Sequence, residues 1–368
     1  MTAGEHFKRP LQYAIEAIKR GRISRLLGRL GHRELTEQSH PQILAGATSH
    51  PEPISAEPVA AQSVEPEQLA RVIAERYAAN RTLFSLWESH GFHITPVHYY
   101  SPIPNVSALP DEIWKRPSRL IGVDLNERSQ LAFLDEVCSR FRPEYGAFPN
   151  DPTDVPFQYY FNQGAFGPVD AEVLYCMIRH WRPRCIVEVG SGFSTYLAAT
   201  AVVKNGMEGH PAELITIDPH PNEVLRHGFS GLGQLRRQPV QNVELDLFTG
   251  LTENDILFID SSHVVRIDSE VRFLLLEVVP RLKPGVLVHF HDIFLPNDYP
   301  RWWVVSEHRF WNEQYVLQAF LAFNRAFETV WAGSYMHMHH SDRLKMAFSS
   351  YDPTWVWPGS YWIRRLTS

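Results

Sequence analysis

Five short apolar runs punctuate the second half of the chain: CIVEV at 185–189, ELITID at 213–218, NVELDLF at 242–248, DILFID at 255–260 and GVLVHFHD at 285–292. Runs of this length, apolar almost throughout and separated by helix-sized segments, predict a parallel sheet covered on both faces. Helices are expected between them at 195–204, 222–226 and 268–282. Another is expected at 170–180, where Ala171, Leu174, Tyr175 and Ile178 share one face and Asp170 takes the N-cap. Segments 327–335 and 360–365 read as two further strands. The expected fold class is α/β: a Rossmann-like, doubly wound, mostly parallel seven-stranded sheet with an N-terminal extension.

Upstream the pattern changes. Residues 1–34 form a basic amphipathic segment, in which Leu11, Ile15, Ile18, Ile23, Leu26, Leu27 and Leu30 recur at helical spacing among Lys and Arg. Such a segment either lies on an anionic membrane surface or extends to dock on a partner protein. Residues 35–66 are rich in Pro, Ser, Ala, Gln and Glu, a composition that buries too little surface to order itself, so a flexible linker is expected. Residues 67–169 read as a helical and irregular subdomain or lid. A helix over 67–89 carries the stripe Leu69, Val72, Ile73, Tyr77, Phe84 and Trp87, and dense Pro and aromatic sequence follows. The catalytic domain is expected at 170–368.

Composition narrows the classes. At 44% hydrophobic and 12% aromatic the chain is globular rather than disordered, and a formal net charge of -6 gives no electrostatic case for nucleic acid. The cysteines Cys138, Cys176 and Cys185 have no metal-ligand spacing and cannot all pair, which predicts a reducing cytoplasm. No apolar run approaches the roughly 20 residues of a membrane span, and no secretory signal pattern opens the chain. A cytoplasmic protein is expected, with contact to the inner membrane face as the alternative that the basic segment offers. The oligomeric state stays open.

The chemistry begins at EVGSGFST, 188–195. It follows an apolar run and opens a helix, and Gly190 and Gly192 let the backbone turn tightly and approach a ligand. Such a turn serves dinucleotides and methyl donors alike. Two details favour the methyl donor: Glu188, placed to orient the loop or to receive an ammonium group, and the lack of a third Gly, near whose place Ser194 and Thr195 stand. With Ser191, these residues are the first cofactor-binding candidates. Asp218, closing the second strand, suits the two ribose hydroxyls; Gln241 and Asn242 are candidates to bound the adenine.

Asp260 and His263 follow the fourth apolar run, and His291 and Asp292 end the fifth. Neighbouring parallel strands deliver such loops to one crevice. Asp260, which also borders the cofactor, can therefore join His291 and Asp292 around a divalent cation, with oxygen ligands favouring Mg²⁺ or Mn²⁺. His263 or His291 can alternatively serve as general base. His289, alternating with His291, reads as structural. Glu313 and Gln314 either cap the helix after Asn312 or bond a substrate hydroxyl. The MHMHHSD run at 336–342 reads as solvent- or partner-facing histidines after a strand.

The stretches EVGSGFST, IDPHP, DILFIDSSHV, LKPGVLVHFHDIFLPNDYP and WNEQYVLQAFL resemble a family of bacterial class I methyltransferases, the family 24 type, related to sugar and antibiotic O-methyltransferases. The resemblance implies S-adenosylmethionine as donor. In metal-dependent relatives an Asp after the fourth strand and an acidic pair after the fifth hold Mg²⁺. Asp260 and Asp292 match those positions, while His291 departs from them. The expected activity is methyl transfer to an oxygen of a glycan or other polyhydroxylated small molecule. The alternatives are a nicotinamide-dependent oxidoreductase using the same crevice, and a non-catalytic ligand-binding module that assembles through the basic segment.

Overall fold

The computed structural model describes residues 65–76 and 83–367. The basic segment 1–34 and nearly all of the linker 35–66 lie outside the described residues. The chain divides into two compact units between Asn105 and Val106. In the first, α1 (Pro66–Arg76) and α2 (Phe84–Ser89) stand where a single helix over 67–89 is expected. Its residues 77–82 lie outside the described set.

The second unit, Val106–Ser368, holds the sheet. Its elements before the sheet are α3 (Glu127–Ala132), which continues through a π-helical stretch (Phe133–Cys138) into α4 (Ser139–Tyr145), and then α5 (Asp170–Trp181). The sheet region runs β1 (Cys185–Val189), α6 (Phe193–Met207), β2 (Glu213–Ile217), α7 (Glu223–His227), β3 (Gln234–Arg236), α8 (Leu245–Thr249) and β4 (Ile256–Ile259). Next come α9 (Glu270–Phe273), β5 (Leu287–Phe290), α10 (Arg301–Val305), α11 (Glu313–Leu321), β6 (Phe327–Ala332), α12 (Gly333–Ala347) and β7 (Tyr361–Arg365). The seven strands are ordered β3-β2-β1-β4-β5-β7-β6, parallel except for β7, which runs antiparallel to both β5 and β6. The central strands β1, β4 and β5 are almost wholly buried, as apolar runs covered on both faces must be.

Several elements differ from expectation, each for a physical reason. The third strand is the short, half-exposed edge QLR at 234–236, too polar to announce itself. The run at 242–248 forms instead a 3₁₀ turn (Val240–Asn242) and α8, with Val243 and Phe248 turned into the core. The strand expected at 327–335 ends at Ala332, and MHMHHSD lies within α12. Its histidines are not all solvent-facing: the half-buried His337 bonds the Tyr351 hydroxyl at 2.8 Å and stacks on Trp357. Burial lowers the His337 pKa to about 4. Asp170 is not an N-cap. It is the first residue of α5, and the backbone N–H of Val169 donates to Glu172 at 2.6 Å.

Residues 106–169 are woven into the sheet unit, so the subdomain expected at 67–169 is divided at residue 105. The Trp114 indole N–H donates to the Tyr299 carbonyl, Ser118 N–H to the Pro296 carbonyl, and the Tyr145 hydroxyl to the Ala347 carbonyl. Arg179 on α5, only 2% exposed, is the main polar tie. It bonds Glu144 at 2.9 Å, Glu208 at 2.6 Å and Asn205, under the ring of Phe141. Removing one member of a buried ion pair strands its partners, and the partial exposure of Glu144 and Glu208 moderates that cost. Arg179→Ala is expected to lower stability by about 2 kcal/mol, read as a shift in urea midpoint at unchanged m-value.

Candidate active site

The crevice forms where β1, β2, β4 and β5 end. Gly190 turns the chain out of β1 at φ +88°, and its N–H donates to the Ile217 carbonyl at 3.0 Å. A Cβ here would sit 1.7 Å from the carbonyl oxygen of Asp260, so only glycine lets the β1 and β4 turns touch. Beyond it, among the described residues other than its chain neighbours, nothing lies within 4 Å of where a Cβ on Gly192 would stand. That leaves the backbone open to a ligand.

Glu188 lies buried under this loop. Ser194 Oγ donates to one carboxylate oxygen at 2.7 Å and Thr216 Oγ1 to the other at 2.9 Å. Each oxygen thus holds one framework hydroxyl, as the loop-orienting reading expects. Thr195, also buried, accepts the Gly192 N–H at 3.0 Å. Ser194 and Thr195 support the loop from beneath, whereas Ser191 and Asp218 stand half-buried at its rim. Ser191 Oγ bonds the Asp218 carboxylate, which also accepts the His220 N–H at 2.7 Å. Gln241 and Asn242 sit on the 3₁₀ turn after β3 rather than on a strand, and the Gln241 amide donates to the Asp268 carbonyl at 2.7 Å.

The second half of the crevice gathers charge. Asp260, His291 and Asp292 each present a possible ligand atom within 4.8 Å of the others. His291 is buried against the ring of Phe166, its Nδ1 has no hydrogen-bond partner among the described residues, and its Nε2 lies 3.7 Å from Asp292 Oδ1. His263 joins them from the β4 loop in a left-handed conformation, φ +59°, as does Asp292 at +54°. The Nε2 of His263 lies 3.5 Å from Asp260 and 3.4 Å from Asp292, and its Nδ1 bonds Glu313 at 2.9 Å. His289, by contrast, stacks on Phe258 at 3.9 Å, and burial lowers its pKa well below the usual value.

These charges set one another. Burial opposes protonation of His263, but hydrogen bonds to Asp260 and Glu313, with Asp292 alongside, hold its pKa well above the imidazole value. His291 is raised too: burial opposes it, and Asp260, Asp292 and Asp170 overcome the burial. Burial pushes Asp260 upward, yet His291 and His263 bring it down to about 2. These partners favour the protonated form of His263, whose Nε2 lies within reach of both carboxylates.

Glu313 and Gln314 are neither helix caps nor open to solvent. Glu313, 1% exposed, clamps His263; Gln314 accepts the Phe294 N–H at 3.0 Å and holds the loop after β5. Trp311 covers the His263 ring at 4.4 Å, and Asn312 bonds Val265 N–H. WNEQ was thus visible as a polar cluster at a helix start, but its partner lies 50 residues away and carries no local signal.

A mostly parallel seven-stranded sheet with an antiparallel β7, a glycine loop after β1 and an acid after β2 defines a class I S-adenosylmethionine-dependent methyltransferase. A family model described as a methyltransferase domain matches residues 187–293. An uncharacterized protein of Archaeoglobus fulgidus is 36% identical over 169 residues, spanning 44% of this chain and 75% of that protein. The chain belongs to this family, the family 24 type of class I methyltransferases. Two solved structures of CmcI are also similar: an apo form (17% identity, 61% of this chain and 84% of that one, TM-score 0.35) and a form titled with Mg and SAM (18%, 61% and 84%, 0.33).

The framework acid gives a pH test. Burial, the largest influence, raises the Glu188 pKa from 4.5 to about 7, against the Ser194, Thr195 and Thr216 hydroxyls. An acid raised on folding favours the folded state below its unfolded pKa and loses that contribution as pH climbs through the folded value. The wild type should therefore lose stability between about pH 4.5 and pH 7, by as much as about 3 kcal/mol. Glu188→Gln should reduce the slope in that window in pH-dependent denaturant melts, the remainder coming from Glu172, which burial also raises to about 7; an unchanged slope would place the effect elsewhere.

Proposed function

We propose that this methyltransferase moves the methyl group of S-adenosylmethionine to an oxygen of a glycan or other polyhydroxylated small molecule, assisted by Mg²⁺ or Mn²⁺. The observation that carries the reading is the convergence of Asp260, His291 and Asp292 beside the Gly190 loop. Gly190–Gly192 would carry the donor, Asp218 would take its ribose hydroxyls, and Gln241 and Asn242 would bound its adenine. Asp260 borders both donor and acceptor.

Two carboxylates and one imidazole fit a divalent cation with oxygen and nitrogen donors, and the partnerless Nδ1 of His291 leaves that ring uncommitted on one side. Asp260, His291 and Asp292 would hold the ion, which when bound lowers the pKa of a chelated hydroxyl and fixes its direction. The chain's own part is alignment. The acceptor oxygen must face the methyl carbon opposite the sulfur, so that the new O–C bond forms as the C–S bond breaks and S-adenosylhomocysteine leaves. The acceptor proton passes to a base in the same corner. His263, its Nδ1 held by Glu313, directs Nε2 toward Asp260 and Asp292 and would serve as that base in its neutral form.

Two outcomes test the reading. Asp218→Ala should weaken S-adenosylmethionine binding by about tenfold to a hundredfold, the loss of hydrogen bonds to a charged acceptor, in calorimetric titration. In a screen of cell-envelope glycans and nucleotide sugars with methyl-labelled donor, transfer should fall sharply with EDTA and with Asp260→Asn. Full activity after both would remove the metal from the reading. Donor binding without turnover on any acceptor would favour an assembly module.

A further inference from the structure

We propose that Asp170 is a positioning residue for Asp292, acting across 122 positions of sequence through the backbone at Gly359–Ser360. Asp170 opens α5 and is 5% exposed, and its charge also acts on His291 in the crevice. One oxygen accepts the Gly359 N–H at 2.9 Å and the other accepts the Ser360 N–H at 3.0 Å. A carboxylate bonded to two successive backbone amides fixes that dipeptide in both position and direction.

Gly359 in turn sits directly on Asp292. A Cβ added to it would lie 3.1 Å from the Asp292 Cα and 3.3 Å from its nitrogen, and the Gly359 carbonyl accepts the N–H of Ile293 at 2.8 Å. Asp292 is held here in the left-handed region, φ +54°, which Asp adopts more readily than most side chains but which still fixes the direction of its carboxylate. The Gly359 contact, anchored by Asp170, is the packing on that side. Ser360 extends the same link, its Oγ lying 3.3 Å from Nε2 of His289, two residues before His291. Asp170 thus holds the strand-end that carries His291 and Asp292 through the Gly359–Ser360 backbone.

The inference rests on the reading of Asp292 as a member of the site, so the two are tested separately. Protein loaded with S-adenosylhomocysteine is titrated with Mn²⁺ and followed by paramagnetic resonance, and the imidazole ¹⁵N spectrum of His263 is recorded without metal. Asp292→Asn supplies the reference. Asp170→Asn puts an N–H₂ against one backbone donor, and Gly359→Ala presses on Asp292 from the other end of the link. Each should weaken Mn²⁺ by about tenfold or more, as loss of an outer partner of a metal ligand does. Each should also leave S-adenosylhomocysteine affinity unchanged within about twofold and move the His263 Nε2 signal as Asp292→Asn does.

The double variant D170N/D292N should bind Mn²⁺ no more weakly than D292N alone. Wild-type Mn²⁺ affinity and an unmoved His263 signal in both single variants overturn the proposal. So does an equal loss from D170N in the D292N background, the mark of general loosening. If the unaltered protein binds no Mn²⁺, the cation reading fails, and the His263 signal alone decides whether Asp170 positions Asp292.

Discussion

The crevice depends on two carboxylates kept close together at the ends of adjacent parallel strands. Asp260 and Asp292 present oxygens within 4.8 Å of a common partner and of one another. At an effective dielectric near 20, such a pair repels by roughly 3–4 kcal/mol. Something positive must stand beside them, and here it is His263 and His291, both raised toward the charged form despite burial. The arrangement is a charge-balanced cluster in which two imidazoles offset two carboxylates.

That cluster is tied to the donor loop by a single close approach. Gly190 rests on the carbonyl of Asp260, and the Asp260 N–H donates to the Val189 carbonyl at 2.9 Å. The β1 turn and the β4 turn therefore cannot shift independently. Glu188 stiffens the first turn from below, and Glu313 with Trp311 stiffens the second from the side. Alignment for in-line displacement tolerates little error, and rigid elements rather than mobile loops supply it.

The parts legible in the sequence are those encoded locally. β1, β2, β4 and β5 are apolar runs closed by an acid, a histidine or a glycine turn, so Glu188, Asp218, Asp260 and Asp292 stand out with their strands. β3 was hidden because an edge strand of three half-exposed residues has no apolar signature, and the nearby VELDLF alternation drew the assignment away from it. Glu188 kept two readings, because one residue's spacing cannot tell whether a carboxylate faces a ligand or two buried hydroxyls. Glu313 could not be paired with His263, nor Asp170 with Gly359. Those contacts depend on how α11 and β7 return to the sheet, which no local pattern records.

The boundary between legible and hidden residues has a functional meaning. The matched methyltransferase domain spans 187–293 and contains Glu188, Asp218, Asp260, His291 and Asp292. The residues that brace the charged corner come from outside it: Asp170 before the sheet, Trp311 and Glu313 after β5, Gly359 before β7. The close approach of Gly190 to Asp260 lies wholly within the matched span, so the donor loop and the β4 turn hold together without those flanking residues, which bear on the charged corner alone.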